Sequence, residues 1–227
     1  MSGQRRIALY GGTFDPVHKG HLRVAHGLSR IFALDQVLFI PAYVAPHKRV
    51  KTVTPALHRY AMLALATQEE SGFLVSTVEL DAPERPFTFE TLSRMQESLG
   101  REAQLFFIMG ADSWMEITTW REWEQVLALA NHIVVTRPGY ELGTEHVTPK
   151  VRQRIVDLRG QAREQAAPGI DSSDGDARIY VTDAVNMDVS ATMIREAVRE
   201  GRESEWLKYV QPPVANYIRK YGLYREV

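Results

Sequence analysis

Six runs of strand length, apolar almost throughout, constrain the fold more than any other feature: RIALY (6–10), QVLFIP (36–41), FLVSTVEL (73–80), AQLFFIMG (103–110), NHIVVTRP (131–138) and ARIYVTDA (177–184). A strand with one wet face alternates apolar and polar side chains, so strands without that alternation are covered on both faces. Longer segments with helical spacing separate them; in HLRVAHGLSRIF, Leu22, Ala25, Leu28, Ser29 and Phe32 fall on one face. Strands alternating with helices predict a doubly wound α/β fold around a mostly parallel sheet. Helix starts are expected at Thr54-Pro55, at Thr148-Pro149 before KVRQRIVDLRG and at Pro212-Pro213, with Gly222 stopping the last helix. The polar stretch 138–176 is expected to hold one helix and a surface loop. At 227 residues the chain reads as a single domain over 1–227, with a small helical C-terminal part at 186–227, burying roughly 70% of its unfolded surface.

Composition removes several function classes. Lys and Arg number 27 against 28 Asp and Glu, so no general attraction draws nucleic acid or an anionic membrane, and phosphate binding must come from local sites. There are no cysteines, which excludes disulfides, thiolate metal sites and cysteine nucleophiles. The apolar run near the N-terminus is too short for a signal-peptide core, and no run reaches the roughly 18 apolar residues of a membrane span, so the cytoplasm is the expected location. The composition allows a homo-oligomer without requiring one.

In an open α/β sheet, ligands collect where strands hand over to helices. The first such exit is LYGGTFDPVHKGHL (9–22). Gly11 and Gly12 permit a tight turn and leave backbone N–H groups open to an anion. Asp15-Pro16 reads as a helix start, with Asp as cap and Pro in the first turn. A helix N-terminus favours phosphate. His18 and His21, three apart, would share a face there, and Gly20 between them costs about 1 kcal/mol of helix propensity, which suggests that something approaches the backbone. Two imidazoles donating to phosphate, a capped helix with surface histidines, and a shared zinc ion all fit the pattern; no third zinc ligand lies nearby, so no metal site is assigned.

The segment GGTFDPVHKGHL resembles the signature of the nucleotidylyltransferases that share an H-x-G-H motif, most closely the bacterial nicotinate-mononucleotide adenylyltransferases. The resemblance runs from Gly11 to YIRKYGLY and is weakest over 140–178. It implies a Rossmann-like fold and transfer of the adenylyl group of ATP to nicotinate mononucleotide, with Mg²⁺ accompanying ATP, in NAD biosynthesis. It assigns His18 and His21 to the ATP phosphates, and Gly11, Gly12, Thr13 and Phe14 to the nucleotide and substrate loop. The stretch LFIPAYVAPHKRVKTVTP resembles the family's P-x-x-x-P-H-K segment, which gives Lys48 a phosphate role; Ala45 stands where proline is expected. RPFTFETLSRM resembles the start of another family helix, with Thr88 as substrate ligand or merely as helix cap, and with Phe87 and Glu90 in place of tyrosine and aspartate. GADSWMEITTW matches the family's G-A-D-S…W. There Gly110 and Asp112 serve ATP, Asp112 through a ribose or the waters of magnesium, and Trp120 stacks on the nicotinate ring; core packing is the plainer reading for Trp114 and Trp123. Arg137 in RPG binds ATP or pairs with a surface carboxylate. In VSATMIREA, similar to I-S-S-T-x-I-R, Ser190, Thr192 and Arg195 fall to the ATP phosphates. Met193 stands where a capping-box glutamate would be, which leaves the Ser190 and Thr192 hydroxyls available to a ligand.

Nicotinamide mononucleotide or phosphopantetheine as acceptor, a fragment of a class I aminoacyl-tRNA synthetase, and a nucleotide sensor without turnover are the competing readings. GADS…W argues against pantetheine, and the missing lysine-rich K-M-S-K-S-type loop argues against the synthetase.

Overall fold

Every apolar run contains a strand: β1 (Arg5–Gly12), β2 (Gln36–Pro41), β3 (Phe73–Val75), β4 (Ala103–Gly110) and β5 (Asn131–Val135), then an additional β6 (Ile155–Asp157), and β7 (Ile179–Thr182). The computed structural model describes residues 4–43, 53–82, 84, 86–136, 141–160, 176–184 and 189–225. The strands form one sheet in the order β3-β2-β1-β4-β5-β7-β6. Tyr10 lies beside Ile108, Ile108 beside Ile133, and Tyr180 beside both Ile133 and Val156, each pair in a parallel ladder. The helices are α1 (Lys19–Ile31), α2 (Ala56–Thr67), α3 (Thr88–Leu99), α4 (Ala111–Met115), α5 (Trp123–Leu129), α6 (Pro149–Arg152), α7 (Ala191–Arg199), α8 (Glu203–Trp206) and α9 (Pro212–Tyr221). The chain thus has the expected Rossmann-like α/β architecture with a helical C-terminal part.

Two expectations about elements need correction. FLVSTVEL keeps its strand only to Val75, because Ser76 Oγ accepts the Val78 N–H (3.3 Å) and Thr77 Oγ1 donates to Asp81 (2.6 Å), local bonds that compete with a ladder. The helix expected through KVRQRIVDLRG ends at Arg152, and Ile155-Val156 instead become β6. Both are β-branched and fit a strand better than a helix, and the Arg154 carbonyl accepts the Ile179 N–H of the neighbouring β7. The starts of α2, α6 and α9 fall where proline announced them, and Gly222 closes α9 in the left-handed region at φ 60°.

The chain divides into two compact units. The first gathers Met1–Gly11, Ala25–Leu38 and Pro86–Asn186; Ile7, Leu9, Phe106 and Ile133 are wholly buried there, and the Phe32 ring meets Tyr180 edge-on at 5.2 Å. The second gathers Gly12–Val24, Phe39–Arg85 and Met187–Val227; Phe39 meets Phe14 and Phe73 edge-on at 5.7 and 5.8 Å, and Met62, Leu63 and Val214 are wholly buried. Among the described residues no helix is long and apolar enough to cross a membrane.

Candidate active site

Within the second unit, the chain leaves Gly12, turns through Thr13 to Pro16, and starts α1 only at Lys19. Asp15 and Pro16, joined by a cis peptide, therefore precede the helix by a turn and do not cap it as their sequence suggests. The Asp15 carboxylate is committed elsewhere: it is 4% exposed and accepts the Thr54 N–H (3.1 Å) and the Tyr224 O–H (2.7 Å). Phe14 takes a left-handed φ of 48° and buries its ring so close to Gly12 that a Cβ there would meet it at 2.9 Å. A side chain at position 12 would therefore have to displace the Phe14 ring. Arg59, 1% exposed, donates to the carbonyls of Thr13 (2.7 Å), Ala42 (2.6 Å) and Thr54 (2.9 Å). Burial pushes its guanidinium pKa down, and the Asp15 carboxylate opposes that shift.

His18 and His21 are locked to each other at the start of α1. The His21 N–H donates to the His18 carbonyl (2.9 Å), and the His18 N–H donates to His21 Nδ1 (3.2 Å). The second bond is one half of a capping box, with an imidazole in place of the usual carboxylate. Because Nδ1 accepts, a neutral His21 carries its proton on Nε2. The rings stack at 3.7 Å with 26° between planes, and Phe14 supports His21 edge-on at 4.9 Å. His18 is 7% exposed, and its Nδ1 has no hydrogen-bond partner among the described residues. Burial lowers its pKa to about 4, so the ring is neutral at pH 7. The close approach that Gly20 announces comes from inside the protein: a Cβ there would meet His18 Nδ1 at 2.8 Å and Val189 Cγ1 at 2.9 Å.

Arg195 belongs to the same unit. Its Nη1 donates to the Asp15 carbonyl (2.6 Å) and its Nη2 to Thr192 Oγ1 (3.1 Å). Ser190 caps α7 by accepting the Met193 N–H at 3.2 Å. The two hydroxyls expected to be available to a ligand are therefore each engaged as an acceptor.

The other assigned residues lie in the first unit, except two. Gly110 ends β4 and precedes α4, and a Cβ there would meet nothing within 4 Å; Asp112 is exposed in the first turn. At Gly11 a Cβ would make only ordinary contact with Phe107, at 3.6 Å. Trp114 is wholly buried and donates to the Gly143 carbonyl (3.0 Å), the packing role its sequence implies. Trp120 follows a 3₁₀ turn over Ile117–Thr119 in extended conformation, so it does not share a helix with Trp123 and Leu127 as their spacing suggests. Half-buried, it lies edge-on to Phe107 at 6.4 Å. Thr88 opens α3 but does not cap it: Phe87 is the cap residue, and the Glu90 carboxylate accepts its N–H at 2.9 Å. Lys48 and Arg137 lie outside the described residues.

Sequence reasoning passed over Asp15 as an acceptor, and over Arg59, Tyr224 and His132. A lone arginine in the apolar stretch ALHRYAMLALAT was the available signal for Arg59. His132 on β5 is wholly buried, its Nδ1 bonds the Ala130 carbonyl (2.9 Å), and burial lowers its pKa to about 3. Both histidines bind a proton more readily in the unfolded chain, where their pKa is near 6.5. Stability is therefore full above pH 6.5 and falls as the pH drops toward 4 for His18 and toward 3 for His132, each contributing on the order of 3 kcal/mol. Urea unfolding at pH 7 and pH 4.5 tests this; equal unfolding free energies would contradict it.

The chain matches the cytidylyltransferase-like family model over residues 9–197. It is 36% identical over 227 residues to a Thermoanaerobacter sp. (strain X514) protein named "Probable nicotinate-nucleotide adenylyltransferase", covering all of this chain and 97% of that one. A Desulfatibacillum aliphaticivorans protein of the same name is 35% identical over 96% of this chain and 99% of its own length. Among solved structures, the Plasmodium falciparum nicotinic acid mononucleotide adenylyltransferase complexed with NaAD superposes with a TM-score of 0.69 at 19% identity, over 97% of each chain, and so shares the fold. With a family model matched over residues 9–197 and relatives this similar over full length, the chain belongs to the nicotinate-nucleotide adenylyltransferase family of cytidylyltransferase-like enzymes.

Proposed function

We propose that the chain carries out the reaction for which its relatives are named, with His18, His21 and Arg195 holding the ATP phosphates. The 5′-phosphate of nicotinate mononucleotide attacks the α-phosphorus of ATP in line. A new P–O bond forms, the bond to the β-phosphate bridge breaks, and the products are nicotinate adenine dinucleotide and pyrophosphate. The attacking phosphate is already ionised, so positioning and charge stabilisation suffice and no general base is needed. The observation that carries this reading is the stacked, mutually bonded histidine pair at the N-terminus of α1. Preorganised N–H donors aimed at developing charge are the strongest catalytic device for such a step. The family resemblance gives the backbone of Gly11, Gly12 and Thr13 a share in holding the nucleotide, and Phe14 supports His21 edge-on. Ser190 and Thr192 give their O–H hydrogens to the β- and γ-phosphates. Magnesium belongs to the substrate, arriving on the triphosphate and neutralising its charge. Gly110, Asp112, Arg137, Lys48 and Thr88 keep the nucleotide and mononucleotide roles that the family resemblance gives them.

The test is pyrophosphate release from MgATP with nicotinate mononucleotide, nicotinamide mononucleotide and phosphopantetheine as separate acceptors. Release with the nicotinate form at least about tenfold above the others is expected. A nucleotide-induced rise in Tm without release from any acceptor would make the protein a sensor. Trp120→Ala should raise KM for the mononucleotide more than for ATP, because its flat ring, held against Phe107, suits stacking on a pyridine. Equal effects on both would return Trp120 to packing.

A further inference from the structure

We propose that Tyr224 is a positioning residue for adenylyl transfer, acting through Asp15 to hold the Arg195 guanidinium in place. The inference rests on the reading of Arg195 as a phosphate ligand. Asp15 joins three distant parts of the second unit. Its carboxylate takes the Thr54 N–H (3.1 Å) and the Tyr224 O–H (2.7 Å), and its carbonyl takes Arg195 Nη1 (2.6 Å), from residues 39, 209 and 180 positions away. Among the described residues Arg195 also donates to Thr192 Oγ1, one turn earlier on its own helix. That bond orients the guanidinium relative to α7 only. Its placement against the turn that leads into His18 therefore depends on where the Asp15 carbonyl stands.

Asp15 is 4% exposed, so the loss of a donor leaves a carboxylate oxygen with little access to water, and the residue must shift to recover a partner. A shift of Asp15 moves its carbonyl, and with it Arg195. The Tyr224 phenol suits this role, because burial and the neighbouring carboxylate push its pKa well above the usual range and its O–H stays a donor at every working pH. Its oxygen also lies 3.9 Å from Met62 Sδ, in a tight setting that a phenylalanine ring can still fill.

The experiment is a double-mutant cycle on the full chain, with kcat and both KM values measured for wild type, Tyr224→Phe, Arg195→Ala and the double variant. Tyr224→Phe should lower kcat about tenfold in the wild-type background, as expected for a misplaced charged group, and less than about twofold in the Arg195→Ala background. No loss in the wild-type background, or the same loss in both, would overturn the proposal. An Arg195→Ala variant with unchanged kcat would instead overturn the role of Arg195 on which it rests. Should Tyr224→Phe fail to fold, Asp15→Asn replaces it in the same cycle with the same criteria, since its amide places an N–H against one of the two donors.

Discussion

Replacement of His21 by alanine is expected to lower kcat by a factor on the order of 10²–10³, the cost of removing one preorganised donor from a developing charge. The effect has two sources in the structure. The substitution removes the ring whose proton sits on Nε2, and it also strips the His18 N–H of its acceptor and the His18 ring of its stacking partner. His18→Ala should fall in the same range, because the two rings form a single assembly, and the double variant should cost far less than the product of the single losses. Steady-state kinetics with saturating MgATP and nicotinate mononucleotide measure this. A loss below about threefold for either variant would remove that histidine from the mechanism.

Arg59→Met should strongly destabilise the second unit. Besides a long contact to the Tyr43 carbonyl (3.5 Å), the guanidinium serves three carbonyls at close range, of Thr13, Ala42 and Thr54, and methionine fills much of the space while donating to none of them. Each bond from a charged donor contributes about 1.5–3 kcal/mol, and part of that is recovered by relaxation, so a net loss of about 3 kcal/mol is expected. For a protein of this length that corresponds to a fall in Tm of roughly 6–12 °C. Arg59→Lys should recover little, since one ammonium cannot span three diverging acceptors. A change in Tm of less than about 2 °C for Arg59→Met would mean that the three carbonyls find other donors.

Periodicity made the sheet legible because burial on both faces leaves a simple mark. QVLFIP and AQLFFIMG coincide with β2 and β4, and of the face read for α1, Leu22, Ala25, Leu28 and, just past the helix end, Phe32 are buried while Ser29 is half-buried. Edge elements were harder to read. Ile155-Val156 lies in a strand of three residues, too short for its β-branched side chains to stand out from a helical pattern. The histidine pair could be located, but not its geometry. Spacing places His18 and His21 on one helical face, whereas the structure has His18 ahead of the helix, bonded to His21 through its backbone. Asp15 and Tyr224 were invisible for a different reason, since a hydrogen bond spanning 209 residues leaves no periodic trace, and Arg59 left only its isolated place in an apolar stretch.

Neither compact unit is a continuous stretch of chain; each is assembled from three, and helix α1 passes from one to the other between Val24 and Ala25. No single cut in the gene can therefore release either unit as an expressible fragment. Recombination between related genes faces the same constraint: a lone crossover anywhere between codons 25 and 186 combines parental segments within at least one unit, so swapping a whole unit between relatives takes several coordinated exchanges.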